Sequence, residues 1–211
     1  DSLQREVGQV DVPVQWLESN EPSYLLYTSG TTGKPKGVQR DVGGYAVAMA
    51  LSMLTVFDVQ PGQVMFSTSD VGWAVGHSYN VYGPLIGGAT SLLYEGLPTH
   101  PDPGVWWSLC EKYGVRTLFS SPTALRVLKK HDPDYLRKYD LSALQYLFLA
   151  GEPLDEPTAL WISQLLGKPV IDNYWQTETG WPALTLLPGV DMKPVRFGSP
   201  GFPNLGYRMK V

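Results

Sequence analysis

Short apolar runs alternate with helix-like segments along most of this 211-residue chain, and that alternation leaves few architectures open. The stretches 64–68, 90–94, 116–119, 144–150 and 170–175 read as strands. Between them, 46–57 is rich in Ala, Met and Leu and reads as a buried helix. Gly104 to Tyr113 reads as a helix ended by Gly114, Pro122 opens another to about His131, and Asp155 is placed to cap one running to Leu166. The expected fold class is therefore α/β: a mainly parallel sheet covered by helices on both faces. After Gly180 the pattern shortens into a mixed-strand portion rich in Pro and Gly, and Tyr207 to Val211 reads as a further strand. Residues 1–22 read as an irregular lead-in, and Asp132 to Asp140 as a charged connection.

In such folds ligands bind beyond the strand ends, so the polar strings at those ends carry the functional information. Thr28-Ser29-Gly30-Thr31-Thr32-Gly33-Lys34-Pro35-Lys36-Gly37 follows Tyr24-Leu25-Leu26-Tyr27, which reads as a buried strand. Its glycines let backbone N–H groups approach a ligand, its hydroxyls donate to phosphate oxygens, and its lysines offset negative charge. The string is not a Walker A loop. Gly30 and Gly33 are too close together, and Pro35 stands where Ser or Thr would follow the lysine. Pro35 also argues against a helix starting directly at the loop, because the residue before proline is pushed toward extended conformations.

Two further strings fall at strand ends. Ala150-Gly151-Glu152-Pro153 is a weak signal by itself. Asp172-Asn173-Tyr174-Trp175-Gln176-Thr177-Glu178-Thr179-Gly180 is stronger, because a carboxylate following hydroxyl and amide groups suits a hard, oxygen-loving cation beside phosphates.

Composition narrows the class by exclusion. Net charge is −4, which argues against a large basic nucleic-acid face. The single cysteine, Cys110, excludes an internal disulfide framework and sits in an apolar stretch, as a core residue would. No run approaches the ~18 apolar residues of a membrane span. The polar, mixed-charge start does not read as a signal peptide. A cytoplasmic or organelle-matrix protein with small-molecule substrates, no nucleic acid and no membrane is expected. The start lacks Met, which reads as an excised piece.

The ten-residue loop resembles the phosphate loop of the acyl-adenylate-forming superfamily. Asp70-Val71-Gly72-Trp73-Ala74-Val75-Gly76-His77-Ser78-Tyr79, Tyr94-Glu95-Gly96 and Asn173 to Glu178 narrow the likeness to the acetyl/propionyl-CoA synthetase family. Gly37-Val38-Gln39-Arg40-Asp41 leans toward its propionyl members. The resemblance spans about Pro22 to Val211 and implies part of the large N-terminal AMP-binding domain, residues 23–211.

It implies the following roles. Thr28, Ser29, Gly30, Thr31, Thr32, Gly33, Lys34 and Lys36 would handle the ATP phosphates. Gly151, Glu152 and Pro153 would lie along the adenine, with Asp172, Asn173 and Tyr174 nearby. Trp175, Gln176 and Thr177 would line the base and α-phosphate, and Glu178 would hold Mg²⁺. Thr177 and Glu178 are the expected catalytic residues. Trp73, Ala74, Val75, Ala150 and Trp175 would form the acyl pocket.

The implied substrates are ATP, CoA and a short acid. Trp175 would close the deep end and exclude long chains, and small Ala74 and Ala150 would favour propionate over acetate, with butyrate also admitted. His77 reads as structural, and Lys129-Lys130 and Arg137-Lys138 as solvated surface.

Family members also use a downstream Tyr-Arg-Thr-Gly-Asp segment and a lysine-bearing small domain. Tyr207-Arg208 continues instead as Met209-Lys210, so a fragment without ligase activity of its own is expected. Adenylation for a carrier-protein acceptor and a non-catalytic nucleotide-binding module are the competing readings.

Overall fold

The computed structural model describes residues 12–29 and 33–210. Its centre is a five-stranded, all-parallel sheet in the order β4-β3-β5-β6-β7. The strands are β3 (Val64–Ser67), β4 (Thr90–Leu92), β5 (Val115–Ser120), β6 (Tyr146–Leu149) and β7 (Val170–Asp172). The chain leaves β3 for β4 on one side and then returns to place β5 on the other. The strand order thus reverses between β3 and β5, opening a crevice beyond their carboxyl ends.

Side-chain alternation splits the sheet's apolar residues between two cores. Met65, Phe119, Phe148 and Ile171 face one side, where α1 (Gly43–Thr55) and Tyr79 pack. Phe66, Leu118, Leu147 and Val170 face the other, against α4 (Val105–Tyr113), α5 (Pro122–Leu128) and α7 (Glu156–Leu166). Tyr45, Met49, Ser52 and Met53 are buried at helical spacing along α1. Within the first core, Phe57 meets Tyr79, Phe148 and Phe119 with ring centroids 4.4, 4.8 and 5.3 Å apart. Cys110 is buried in the second core, and burial pushes its thiol up to about 12, so it is an inert apolar neighbour.

The helix ends carry side-chain and glycine caps, of which Asp155 and Gly114 were legible in sequence. The Asp155 carboxylate accepts from Thr158 N–H at 2.9 Å, and the Ser121 hydroxyl accepts from Ala124 N–H at 3.3 Å. Gly114 closes α4 in a left-handed conformation.

Several expectations are corrected. Tyr24-Leu25-Leu26-Tyr27 does not lie buried in the parallel sheet. It belongs to β1 (Pro22–Thr28), paired antiparallel with β2 (Lys36–Asp41) in a separate two-stranded ribbon, and Leu25 and Tyr27 are 50% and 66% exposed. Only alternate residues such as Tyr24 and Leu26 turn toward the body, so an unbroken apolar run overstated the burial. Residues 170–175 form a strand only as far as Asp172. Residues 207–210 form no strand. The charged connection contains a short helix, α6 (Asp134–Arg137), anchored by buried Leu136.

A composite helix over residues 74–86 went unread. It consists of α2 (Ala74–Gly76), a π-helical turn (His77–Tyr82) and α3 (Gly83–Ile86). Gly76, Gly83 and Pro84 hide its periodicity. Among the described residues, no helix is long and apolar enough to cross a membrane. The short antiparallel pair β8 (Leu184–Thr185) and β9 (Phe202–Pro203) lies within the Pro/Gly-rich portion.

Candidate active site

A cleft of about 480 Å³ opens at the carboxyl ends of the central strands, where the strand order reverses. Thr68 and Ser69 enter it after β3, and Ser120 and Ser121 at the end of β5. The hydroxyls of Thr68 and Ser120 meet across the switch point at 2.9 Å. Ala150, Gly151 and Glu152 follow β6; Trp175, Gln176 and Thr177 come after β7; Trp73, Ala74 and Val75 come from the start of α2.

The lining is chemically divided. Trp73, Ala74, Val75, Phe119, Ala150 and Trp175 are apolar, while the serines, Thr68, Gln176 and Thr177 supply hydroxyl and amide groups. Such a mixture suits a ligand with a small apolar part and a polar remainder. Trp175 sits between aromatic neighbours, stacked near Phe119 and edge-on to Tyr79, and its indole nitrogen is buried without a partner among the described residues. Gly151 has φ +100°, a backbone that other residues rarely adopt, and the space where its Cβ would stand is open.

Glu152 is held at the rim. Its carboxylate accepts from Thr123 N–H at 2.7 Å, in the first turn of α5, and from the Arg126 guanidinium at 2.9 Å. Arg126 also donates to Asp155 at 2.8 Å and to the Pro153 carbonyl at 3.0 Å. Hydrogen bonds from Thr123 and then Arg126 hold Glu152 below its ordinary carboxylate value. Thr158 and then Arg126 bring Asp155 to about 2.

The turn from Gln176 to Gly180 is held through its carbonyls. Arg40 of β2 donates to the carbonyls of Thr177 and of Glu178, the latter at 2.9 Å. Tyr207 Oη donates to the Thr179 carbonyl at 3.1 Å, and Ser78 Oγ donates to the Gly180 carbonyl at 2.8 Å. With its proton so used, Ser78 accepts from Tyr45 Oη at 2.7 Å. The Glu178 side chain is exposed and makes no ion pair among the described residues.

The cleft thus brings together Trp73, Ala74, Val75, Ala150, Gly151, Glu152, Trp175, Gln176 and Thr177. Pro153, Asp172, Asn173 and Tyr174 do not line it. Asn173 is buried, and its side-chain carbonyl accepts from Thr185 Oγ1 at 2.5 Å. Tyr174 bridges to Leu184. Asp172 is half-buried, and desolvation raises its carboxyl. Thr28, Ser29, Gly33, Lys34 and Lys36 lie on the β1–β2 hairpin, with Lys34 and Lys36 exposed; Gly30, Thr31 and Thr32 lie outside the described residues. The Thr68–Ser69 and Ser120–Ser121 hydroxyls were missed in sequence, although both pairs stand at ends of readable strands.

The family model of AMP-binding enzymes matches residues 2–211. The chain belongs to this family. It is 63% identical over 210 residues to a propionate–CoA ligase of Escherichia coli, a match covering 100% of this chain and 33% of that relative. It is 61% identical over 208 residues to a propionate–CoA ligase of Salmonella typhimurium, covering 99% of this chain and 33% of the relative. An acetyl-coenzyme A synthetase of Rhodobacter capsulatus is 44% identical over 204 residues, with 95% of this chain and 31% of the relative covered. The chain therefore spans about a third of the length of these relatives.

Proposed function

We propose that these residues form the nucleotide and acyl site of a short-chain acyl-CoA synthetase. It would join propionate to CoA with conversion of ATP to AMP and pyrophosphate, by way of propionyl-AMP. The observation that carries the reading is the divided cleft. Small apolar side chains, Ala74 and Ala150, share one cavity with Trp175, Gln176, Thr177 and the open Gly151 turn. The 61–63% identity to propionate–CoA ligases supports the same choice of acid.

In this reading the acid's ethyl group occupies the apolar part of the cleft, with its carboxylate toward Gln176 and Thr177. A carboxylate oxygen attacks the α-phosphorus of ATP, and pyrophosphate departs. The CoA sulfur then attacks the acyl carbon of propionyl-AMP, losing its proton as AMP leaves. The protein's part in the first step is positioning and charge stabilisation rather than proton transfer. Gln176 and Thr177 orient the α-phosphate, and Lys34 and Lys36 offset charge on the departing pyrophosphate. Glu178 supplies one hard oxygen donor on a backbone-anchored turn, which suits Mg²⁺ taking its remaining ligands from phosphates and water. Bound there, the ion would neutralise phosphate charge.

The test is pyrophosphate exchange into ATP by the full-length protein, with acetate, propionate and butyrate in turn. Propionate is expected to give a kcat/KM at least about tenfold that of acetate, the discrimination one methylene supplies in an apolar pocket. Equal values would remove the propionate assignment. Exchange independent of any acid would remove the synthetase reading altogether.

A further inference from the structure

Arg40 reaches from the hairpin carrying Lys34 and Lys36 to the turn bearing Thr177 and Glu178. Its guanidinium donates through separate nitrogens to the carbonyls of Thr177 and Glu178. Gly180 lies flat against the same group: a Cβ there would stand 2.8 Å from the guanidinium carbon, and its φ of +78° already favours glycine. The approach is therefore built from both sides, by a planar fork on β2 and by a residue with no side chain on the turn.

The base of the fork is itself fixed. Arg40 pairs across the ribbon with Tyr24, whose ring stacks on His77 at 4.7 Å and lies parallel to Tyr82 at 5.8 Å. The next residue, Asp41, accepts from Tyr45 N–H at the start of α1 at 3.1 Å. Arg40 is thus anchored to the body, while Lys36 lies four residues earlier on the same strand, ~13 Å away at 3.3 Å per residue.

We infer that Arg40 is a positioning residue that locks the Thr177–Gly180 turn, and with it the Glu178 carboxylate, to the hairpin carrying Lys34 and Lys36. Binding of the divalent cation and of the phosphates is thereby coupled through one guanidinium. Of the residues from Gln176 to Gly180, Glu178 alone carries a carboxylate, and Arg40 fixes the backbone on both sides of it through the Thr177 and Glu178 carbonyls. This inference rests on the proposed assignment of phosphates and cation to these two elements.

The experiment uses full-length protein carrying Arg40→Ala, Arg40→Lys or Gly180→Ala. Mn²⁺ affinity is measured by electron paramagnetic resonance with a non-hydrolysable ATP analogue present, alongside KM for MgATP and for propionate. Loss of an outer-shell partner typically weakens metal affinity about 10- to 100-fold, which is the loss expected for Arg40→Ala, with KM for propionate within about twofold of wild type. Arg40→Lys recovers little, because one ammonium cannot serve both carbonyls in the fork geometry. Gly180→Ala reproduces the defect by displacing the guanidinium, and adding it to Arg40→Ala costs little more. Added guanidinium ion restores Mn²⁺ affinity to Arg40→Ala but not to Arg40→Lys.

Unchanged Mn²⁺ affinity in Arg40→Ala and Gly180→Ala would overturn the inference, as would equal losses in both KM values. Should the wild type bind Mn²⁺ and analogue yet show no acid-dependent exchange, the synthetase reading fails while the titration still decides the role of Arg40.

Discussion

The indole of Trp175 stacks beside the ring of Phe119, their centroids 6.5 Å apart and their planes 25° from parallel. Tyr79 meets the same indole edge-on at 5.8 Å. Phe119 comes from β5 and Tyr79 from the π-helical turn, so Trp175, which lines the cleft with Phe119, is packed against rings from separate elements. Replacing Trp175 by Gly removes one of the two tryptophans that line the cleft. The kcat/KM for hexanoate relative to propionate is expected to rise by at least about tenfold, each added methylene gaining roughly 1–3 kcal/mol of apolar contact. Competition between the two acids in a hydroxamate-trapping assay reads this ratio directly. An unchanged ratio would place the acyl chain elsewhere.

Ala74 bounds the same cavity from the start of α2 and is only 7% exposed. Ala74→Val adds branched volume at this buried wall. Propionate should lose at least about tenfold in kcat/KM while acetate loses far less, and overpacking should lower stability by about 1–3 kcal/mol. Kinetics with both acids, paired with thermal unfolding, separate the two effects. A parallel loss for both acids would mean a distorted site rather than a smaller one.

The parallel sheet was legible because its strands are short apolar runs bounded by Gly, Pro and hydroxyl residues, as in Val115–Ser120 followed by Ser121-Pro122. The cap at Asp155 and the helix start at Pro122 were legible for the same local reason. The ribbon was not: Tyr24 to Tyr27 has the composition of a buried strand, and only its partner reveals that one face is open. Nor was the helix containing His77–Tyr82, because its glycines serve close packing rather than chain breaking. A Cβ on Gly76 would stand 2.0 Å from the Asp70 carbonyl oxygen. At the site, Trp175, Gln176, Thr177 and Ala150 were readable as strand-end residues. The Arg40 fork joins positions 137 and 138 residues apart, and no local pattern encodes that.

Arg126 links Glu152 and Asp155, and the linkage has a defined pH signature. Both carboxyls are held below their ordinary values, so the stabilisation is present above the unfolded value and lost as pH falls through the folded one. For Asp155 the window runs from 3.8 down to about 2. Arg126→Gln removes the shared cation and leaves the Thr123 and Thr158 hydrogen bonds. Its urea midpoint is expected below wild type at neutral pH, with the gap narrowing as pH falls through that window. The groups are solvent-exposed, so added salt should shrink the gap as well. A gap independent of pH and salt would mean that Arg126 acts through packing alone.

Asn173 and Thr185 form an asymmetric pair behind the site, and the asymmetry predicts the order of two mutants. The Asn173 carbonyl accepts from Thr185 Oγ1, while its amide nitrogen is buried without a partner among the described residues. Thr185 Oγ1 also lies 3.0 Å from the Leu186 carbonyl, a second acceptor for its one proton. Asn173→Ala therefore leaves Thr185 satisfied. Thr185→Val leaves both polar ends of a buried amide unpaired, at a cost of about 1–3 kcal/mol. Adding Asn173→Ala to Thr185→Val removes the stranded amide, so the double mutant should be more stable than the sum of the single losses requires. Urea denaturation of the four proteins measures the coupling. The pair ties the end of β7 to β8 just ahead of Trp175, so Thr185→Val should also raise KM for propionate, and strict additivity with an unmoved KM would show that this tie does not hold Trp175 in place.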